Sequence, residues 1–374
     1  MLSQENLDEL KSQGLYRSRR MIDDKKLVNF CSNDYLGLSK NENVIAAFKK
    51  AVDDYGVGSG SAHLICGHSK AHHALEEELA EFTGRERALL FSTGYMANLG
   101  AINTLVGRGD FVFEDKLNHA SLLDGGLSSG ANFKRYPHAN LSQLEKLLSK
   151  ASGQKLIVTD GVFSMDGDVA PLRELSILAK KNDALLMVDD AHGFGVLGKK
   201  GGGVVEELNL TQNDVPILMG TLGKAFGTFG AFIAGSELLI ESLIQSARTY
   251  IYTTALPPAI AEATRASLKI VIEETWRREK LQALISHFKK GAAQLNLPLM
   301  PSDSPIQPLL VGDSFRATQM SQQLLEAGFL VSAIRPPTVP KNKARLRVTF
   351  SALHEFDDVS RLLETLSDLN KLEN

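Results

Sequence analysis

The chain has 374 residues, of which 43% are hydrophobic and 23% charged, the make-up of a folded globular protein rather than a disordered or fibrous one. Lys plus Arg number 41 against 44 Asp plus Glu, a formal net charge of -3, so there is no basic excess for nucleic acid or an anionic membrane. At roughly 150 residues per domain, the length predicts two or three structural units.

Residues 1–40 are polar and charged and predict an N-terminal arm: a helix, an arginine-rich stretch (Arg17, Arg19, Arg20), then a short strand over 27–30. The first residues lack the basic-then-apolar pattern of a secretion signal, and no apolar run approaches the roughly 18 residues of a membrane span. Cys31 and Cys66 stand too far apart for a Cys-x-x-Cys site, so two ordinary thiols and a cytoplasmic location are expected. From 41 to 280 the chain alternates. Apolar residues at three- and four-residue spacing predict helices over 44–54, 74–83 and 141–151. Between them, short runs apolar at nearly every position predict strands over 88–91, 111–113, 156–159, 185–188, 217–219 and 231–234. Such runs suit strands buried on both faces of a mainly parallel sheet. The fold class is therefore α/β, with ligands expected beyond the carboxyl ends of those strands. A long helical stretch over 258–295 leads into strands at 306–311 and 344–350 and helices at 316–327 and 355–369, a smaller α+β domain over 281–374.

The chemically suggestive residues fall at the predicted strand ends. After 88–91 comes Ser92-Thr93-Gly94-Tyr95, a small-residue turn opening a helix, whose backbone N–H groups favour an anion such as phosphate, although such turns are common. After 185–188 comes Asp189-Asp190-Ala191-His192. A serine hydrolase would need Gly-x-Ser-x-Gly at a strand end, and the one match, Gly126-Leu127-Ser128-Ser129-Gly130, follows no predicted strand; a zinc protease would need His-Glu-x-x-His, which the sequence lacks. His72 and His73 are expected on a helix surface. What is left for Asp189 is a carboxylate holding a cationic ring. After 217–219 stands Lys224, among small residues that leave its amine partly desolvated; desolvation lowers a lysine pKa and frees the amine to form an imine. An imine lysine, a carboxylate for a pyridinium nitrogen and a helix start for a phosphate are the parts pyridoxal 5'-phosphate requires.

In order and spacing these motifs resemble the α-oxoamine synthases, a family of fold-type-I pyridoxal-phosphate enzymes. The resemblance runs from about 15 to 365. It is carried by Ser32-Asn33-Asp34-Tyr35-Leu36-Gly37-Leu38, Gly58-Ser59-Gly60, Asn118-His119-Ala120-Ser121, Phe163-Ser164-Met165-Asp166-Gly167-Asp168, Asp189-Asp190-Ala191-His192 and Gly223-Lys224-Ala225-Phe226-Gly227. It implies a large domain with a mainly parallel seven-stranded sheet between helices, a small α+β domain and a homodimer. It further implies that Lys224 bonds the cofactor aldehyde and later acts as general base, that Asp189 pairs with the ring nitrogen, and that His192 and Ser164 hydrogen-bond the ring oxygen. His119 would stack on the ring, and Gly94, Tyr95 and Thr221 would hold the phosphate. The segment Arg335-Pro336-Pro337-Thr338-Val339-Pro340 resembles the branch of the family that opens biotin-ring assembly. That branch implies decarboxylating condensation of L-alanine with a pimeloyl thioester, carried on CoA or an acyl carrier protein. Arg335 would clamp the alanine carboxylate, with a surface ion pair as its alternative role; Thr338 and Arg17 would face the acyl substrate, and Asn33 would make a polar contact near it. No metal is implied. A glycine-using sister synthase and a non-catalytic regulatory subunit are the competing readings, the second opposed by the joint presence of Lys224, Asp189, His192 and His119.

Overall fold

A computed structural model describes residues 3–13, 15–17, 19, 21–22 and 27–371. Its internal contacts define two units: Leu36–Ser164 with Val169–Arg278, and Met1–Tyr35 with Met165–Asp168 and Glu279–Asn374.

The larger unit is built on a seven-stranded sheet. In spatial order its strands are Arg87–Phe91, Ala231–Gly235, Ile217–Thr221, Leu185–Asp189, Lys155–Asp160, Phe111–Asp115 and Asn132–Tyr136. Ala231–Gly235 runs antiparallel to both neighbours and the other pairings are parallel. Burial on both faces explains the unbroken apolar runs. Leu156, Val158 and Met187 pack into the core on one face, whereas Ile157, Leu186 and Val188 pack into the core on the other, as the two-residue period of a strand requires. The edge strand Asn132–Tyr136 was not predicted: Asn132, Lys134 and Arg135 are exposed, and a half-solvated edge carries little apolar signal. Helices Ala120–Ser128, Leu172–Lys181 and Glu237–Ser246 were likewise not predicted.

The helical stretch expected over 258–295 is two helices, Pro258–Glu273 and Trp276–Gln294. Pro258 stands at the first helical turn, where its missing N–H costs nothing, and Glu274 leaves the helical region at φ -99, ψ 67. The Arg277 guanidinium then donates to the Glu274 carboxylate at 2.7 Å across the break. A second correction concerns His72, expected on a surface: it is fully buried, while His73 is exposed.

In the smaller unit, Ser332–Ile334, Ala344–Thr349 and Ile306–Gly312 form an antiparallel sheet in that order. Helices Ser314–Glu326 and Phe356–Lys371 belong to the same unit. The N-terminal strand Val28–Asn29 pairs in parallel with Phe329–Leu330, and Phe30 packs on Phe350 and His354 with ring centroids 5.6 and 4.2 Å away. Residues 27–30 thus fold into the smaller unit by filling an aromatic core. Among the described residues no helix is long and apolar enough to cross a membrane.

Candidate active site

Three neighbouring parallel strands of the larger unit end at Asp160, Asp189 and Thr221, with Asp160 opposite Asp189 in register. A cavity of about 200 Å³ opens at this edge. It is lined by Gly94, Tyr95, His119, Ser164, Asp189, His192, Thr221 and Lys224, so every large-unit residue singled out from the sequence faces one space. Asn98, Ser121, Asp160, Ala191 and Met219 also line it; to these the sequence reading assigned no role.

Asp189 is only 3% exposed. Its Oδ2 accepts from Asn98 Nδ2 at 2.7 Å and its Oδ1 from the Ala191 N–H at 3.0 Å, which fixes the carboxylate plane. Asn98 Nδ2 also donates to Ser121 Oγ at 2.8 Å, and that oxygen lies 2.8 Å from His119 Nδ1. A polar chain thus ties His119 to Asp189. Asp190, next in sequence, points elsewhere: its Oδ2 accepts the Val204 N–H at 2.7 Å and pins the following loop. Of the two adjacent aspartates, Asp189 is the one that lines the cavity.

Asp160 receives the His119 N–H at 2.8 Å. Burial, and then the charge of Asp189, hold its carboxyl well above the usual carboxylate range, so it favours the protonated form. The His119 imidazole is held below its ordinary pKa by desolvation, opposed by Asp189 and reinforced by Lys224, which favours a neutral ring. Lys224 is half-buried, with Nζ 3.0 Å from His192 Nε2; an ammonium here donates and the imidazole nitrogen accepts.

Helix Gly94–Leu105 starts at the cavity wall. The Thr93 hydroxyl caps it by accepting the Met96 N–H at 3.2 Å, and the first-turn amides of such a helix favour an anion. Gly94 is required by close approach: a Cβ there would sit 2.9 Å from Thr221 Cγ2 and 3.0 Å from Met219 Cε. The donor set therefore fits pyridoxal phosphate, with an amine at Lys224, a fixed buried carboxylate at Asp189 and a helix start for the phosphate.

The smaller unit has a cavity of its own, about 340 Å³, lined by Leu15, Tyr16, Arg17, Ala333, Ile334, Arg335, Pro336 and Thr338. Of the three clustered arginines, Arg17 faces this space; Arg19 does not line it, and Arg20 lies outside the described residues. Two guanidinium groups in one cavity suit carboxylates. Asn33 lines neither cavity. Its Oδ1 accepts from Arg347 Nη1 and Nη2 at 3.3 and 3.2 Å and from the Tyr35 hydroxyl at 3.2 Å. Arg347 was not singled out, although two arginines at i and i+2 in an otherwise apolar strand, Arg345 and Arg347, are an available signal. Both are buried, and Arg345 pairs with Asp166.

Comparison with known proteins agrees with this geometry. The family model for aminotransferase class I and II matches residues 25–366. An 8-amino-7-oxononanoate synthase of Saccharophagus degradans is 60% identical, over 98% of this chain and 96% of the relative. Among solved structures, 8-amino-7-oxononanoate synthase from Francisella tularensis superposes with TM-score 0.83 at 36% identity, covering 94% of this chain and 99% of that one. A serine palmitoyltransferase from S. paucimobilis with bound PLP-myriocin aldimine superposes with TM-score 0.92 at 30% identity, covering 98% and 96%. With its lysine, paired aspartates and helix start gathered at one sheet edge, the chain belongs to the class I and II aminotransferase family, and within it to the 8-amino-7-oxononanoate synthases.

Proposed function

We propose that this enzyme uses pyridoxal 5'-phosphate to condense L-alanine with a pimeloyl thioester, on CoA or an acyl carrier protein, releasing CO2 and the free thiol and yielding 8-amino-7-oxononanoate. The observation that carries the reading is the single cavity in which Lys224, Asp189, His119, His192 and the start of helix Gly94–Leu105 meet, in a chain 60% identical to a named synthase of this kind.

Bound at this site, the cofactor supplies an amine-reactive aldehyde and a pyridinium ring that draws electron density from the amino-acid Cα. Asp189 holds the ring-nitrogen proton, its charge kept in place by Asn98 and the Ala191 amide. Lys224 Nζ would hold the cofactor aldehyde and would be the base for the alanine Cα proton, with His192 Nε2, 3.0 Å away, placed to steady its ammonium. The Gly94 and Tyr95 amides with Thr221 hold the phosphate. Ser164 and His192 supply hydrogen bonds at the ring oxygen, and His119, kept neutral, stacks on the ring. In the smaller unit Arg335 takes the alanine carboxylate, while Arg17 and Thr338 meet the acyl chain. A homodimer fits the apolar side chains left uncovered on the larger unit, Val57, Ile65 and Tyr252, which are 71–84% exposed. A cytoplasmic location fits two cysteines that form no disulfide with each other.

The test is turnover of L-alanine and glycine, each with pimeloyl-CoA, a pimeloyl carrier protein and acetyl-CoA. Release of CO2 and thiol from alanine with a pimeloyl donor is expected. Preference for glycine with acetyl-CoA would reassign the enzyme to a sister reaction.

A further inference from the structure

A second polar cluster sits in the larger unit, and none of its members lines the Lys224 cavity. His63 and His68 come from the turn around His63–Gly67, and His72, His73 and Glu76 from the next helix, Lys70–Thr83. Two overlapping trios have ligand atoms within 4.8 Å of one another: His63, His68 and His72, and His68, His73 and Glu76.

In the first trio His72 has no lone pair to spare. His72 Nδ1 accepts the Ser69 N–H at 3.0 Å as part of the helix cap, so its proton sits on Nε2 and donates to the Leu256 carbonyl at 2.7 Å. Coordination through His72 would break that cap. The second trio is free of this conflict. His68 meets His63 Nδ1 to Nδ1 at 3.0 Å. When His68 donates that hydrogen, its Nε2 is a lone pair 4.0 Å from Glu76 Oε2. Such a donation from the far ring nitrogen is how ligating histidines are commonly oriented. Glu76 is anchored through its other oxygen, Oε1, by the Leu90 N–H at 2.9 Å. His73 stands three residues before Glu76 and so on the same helix face. Its contact with Glu77 at 3.4 Å is a surface pair, which costs little to release.

We propose that His68, His73 and Glu76 bind a divalent transition-metal ion of the zinc class, with solvent at the remaining position and His63 orienting His68. Two imidazoles and one carboxylate are a donor set that such ions accept. Tetrahedral bonds of ordinary length put neighbouring ligand atoms about 3.4 Å apart, so the 4.0 Å pair must close by only a few tenths of an ångström. The bound ion would staple the turn around His63–Gly67 to helix Lys70–Thr83. Sequence spacing did not reveal the site, because its ligands follow no His-Glu-x-x-His pattern.

The test uses tag-free, cofactor-loaded protein, stripped with a chelator and titrated with Zn(II) against a chromophoric competitor. One saturable equivalent is expected, weakened at least tenfold in His73→Ala and in Glu76→Gln and unchanged in His287→Ala. Both variants keep the helix, since His73 is exposed and a glutamine can still accept the Leu90 N–H. Absence of a saturable site, or wild-type affinity in both variants, overturns the proposal. Neither result bears on alanine turnover, which is measured separately.

Discussion

At the level of single residues, the proposed chemistry rests on Lys224, and Asn98 fixes the Asp189 carboxylate beside it. Asn98 is fully buried and divides its amide between the Asp189 carboxylate and Ser121 Oγ. Asn98→Ala removes a hydrogen bond to a charged group, worth about 1.5–3 kcal/mol. We expect a roughly ten- to hundredfold loss in cofactor affinity or in kcat, read by pyridoxal-phosphate titration and alanine turnover; wild-type values in both would show that Asp189 needs no such support. Borohydride should fix the cofactor to the Lys224 peptide of the wild type and fix none in Lys224→Ala; cofactor fixed to a different lysine would remove Lys224 from its role. Lys224 and Asp189 were legible because each follows a predicted strand among small residues. Asn98 and Ser121 were not, since a polar residue inside a helix looks ordinary until its partners, 91 and 23 positions away, are known.

Elements place these residues by where they stop. Strand Leu185–Asp189 delivers Asp189 to the cavity, and the turn that follows sends Asp190 to the Val204 amide. That turn works only with glycine at 203. The residue has φ +88, and a Cβ there would lie 1.9 Å from Asp190 Oδ2. Gly203→Ala should therefore destabilise the protein by roughly 1–3 kcal/mol or more through backbone strain alone, seen as a lower thermal midpoint. An unchanged midpoint would mean that the loop relaxes freely. Buried strands, and helices such as Glu42–Tyr55, Lys70–Thr83 and Leu141–Leu148, were readable from their periodicity. The edge strand Asn132–Tyr136 and the break at Glu274 were not, because neither interrupts the apolar pattern in a way a single sequence displays.

Across the whole molecule, one buried carboxyl gives stability a pH dependence. Glu114, fully buried on strand Phe111–Asp115, is pushed up to about 8 by burial, against a hydrogen bond from Asn118 and the charge of Arg135. Its folded-state pKa lies above the unfolded value, so the folded chain keeps this proton longer. Its contribution to stability is complete below about pH 4.5 and is lost progressively as pH rises through 8. Glu114→Gln should flatten the pH dependence of the urea midpoint between about pH 5 and 8; an equally steep profile would assign the dependence to other groups. Sedimentation should show a dimer, and a fully active monomer would contradict the assembly proposed from the exposed apolar residues.

The sequence alone determined the α/β class, the cofactor chemistry and the positions of Lys224 and Asp189. Strand burial and turn composition are local properties, written in consecutive residues. Only the tertiary structure decided between near neighbours elsewhere: Arg17 rather than Arg19 at the small-unit cavity, a buried His72 beside an exposed His73, and an Asn33 occupied by Arg347. Those choices depend on where a side chain points and what distant segment meets it, and both are settled only when the chain packs.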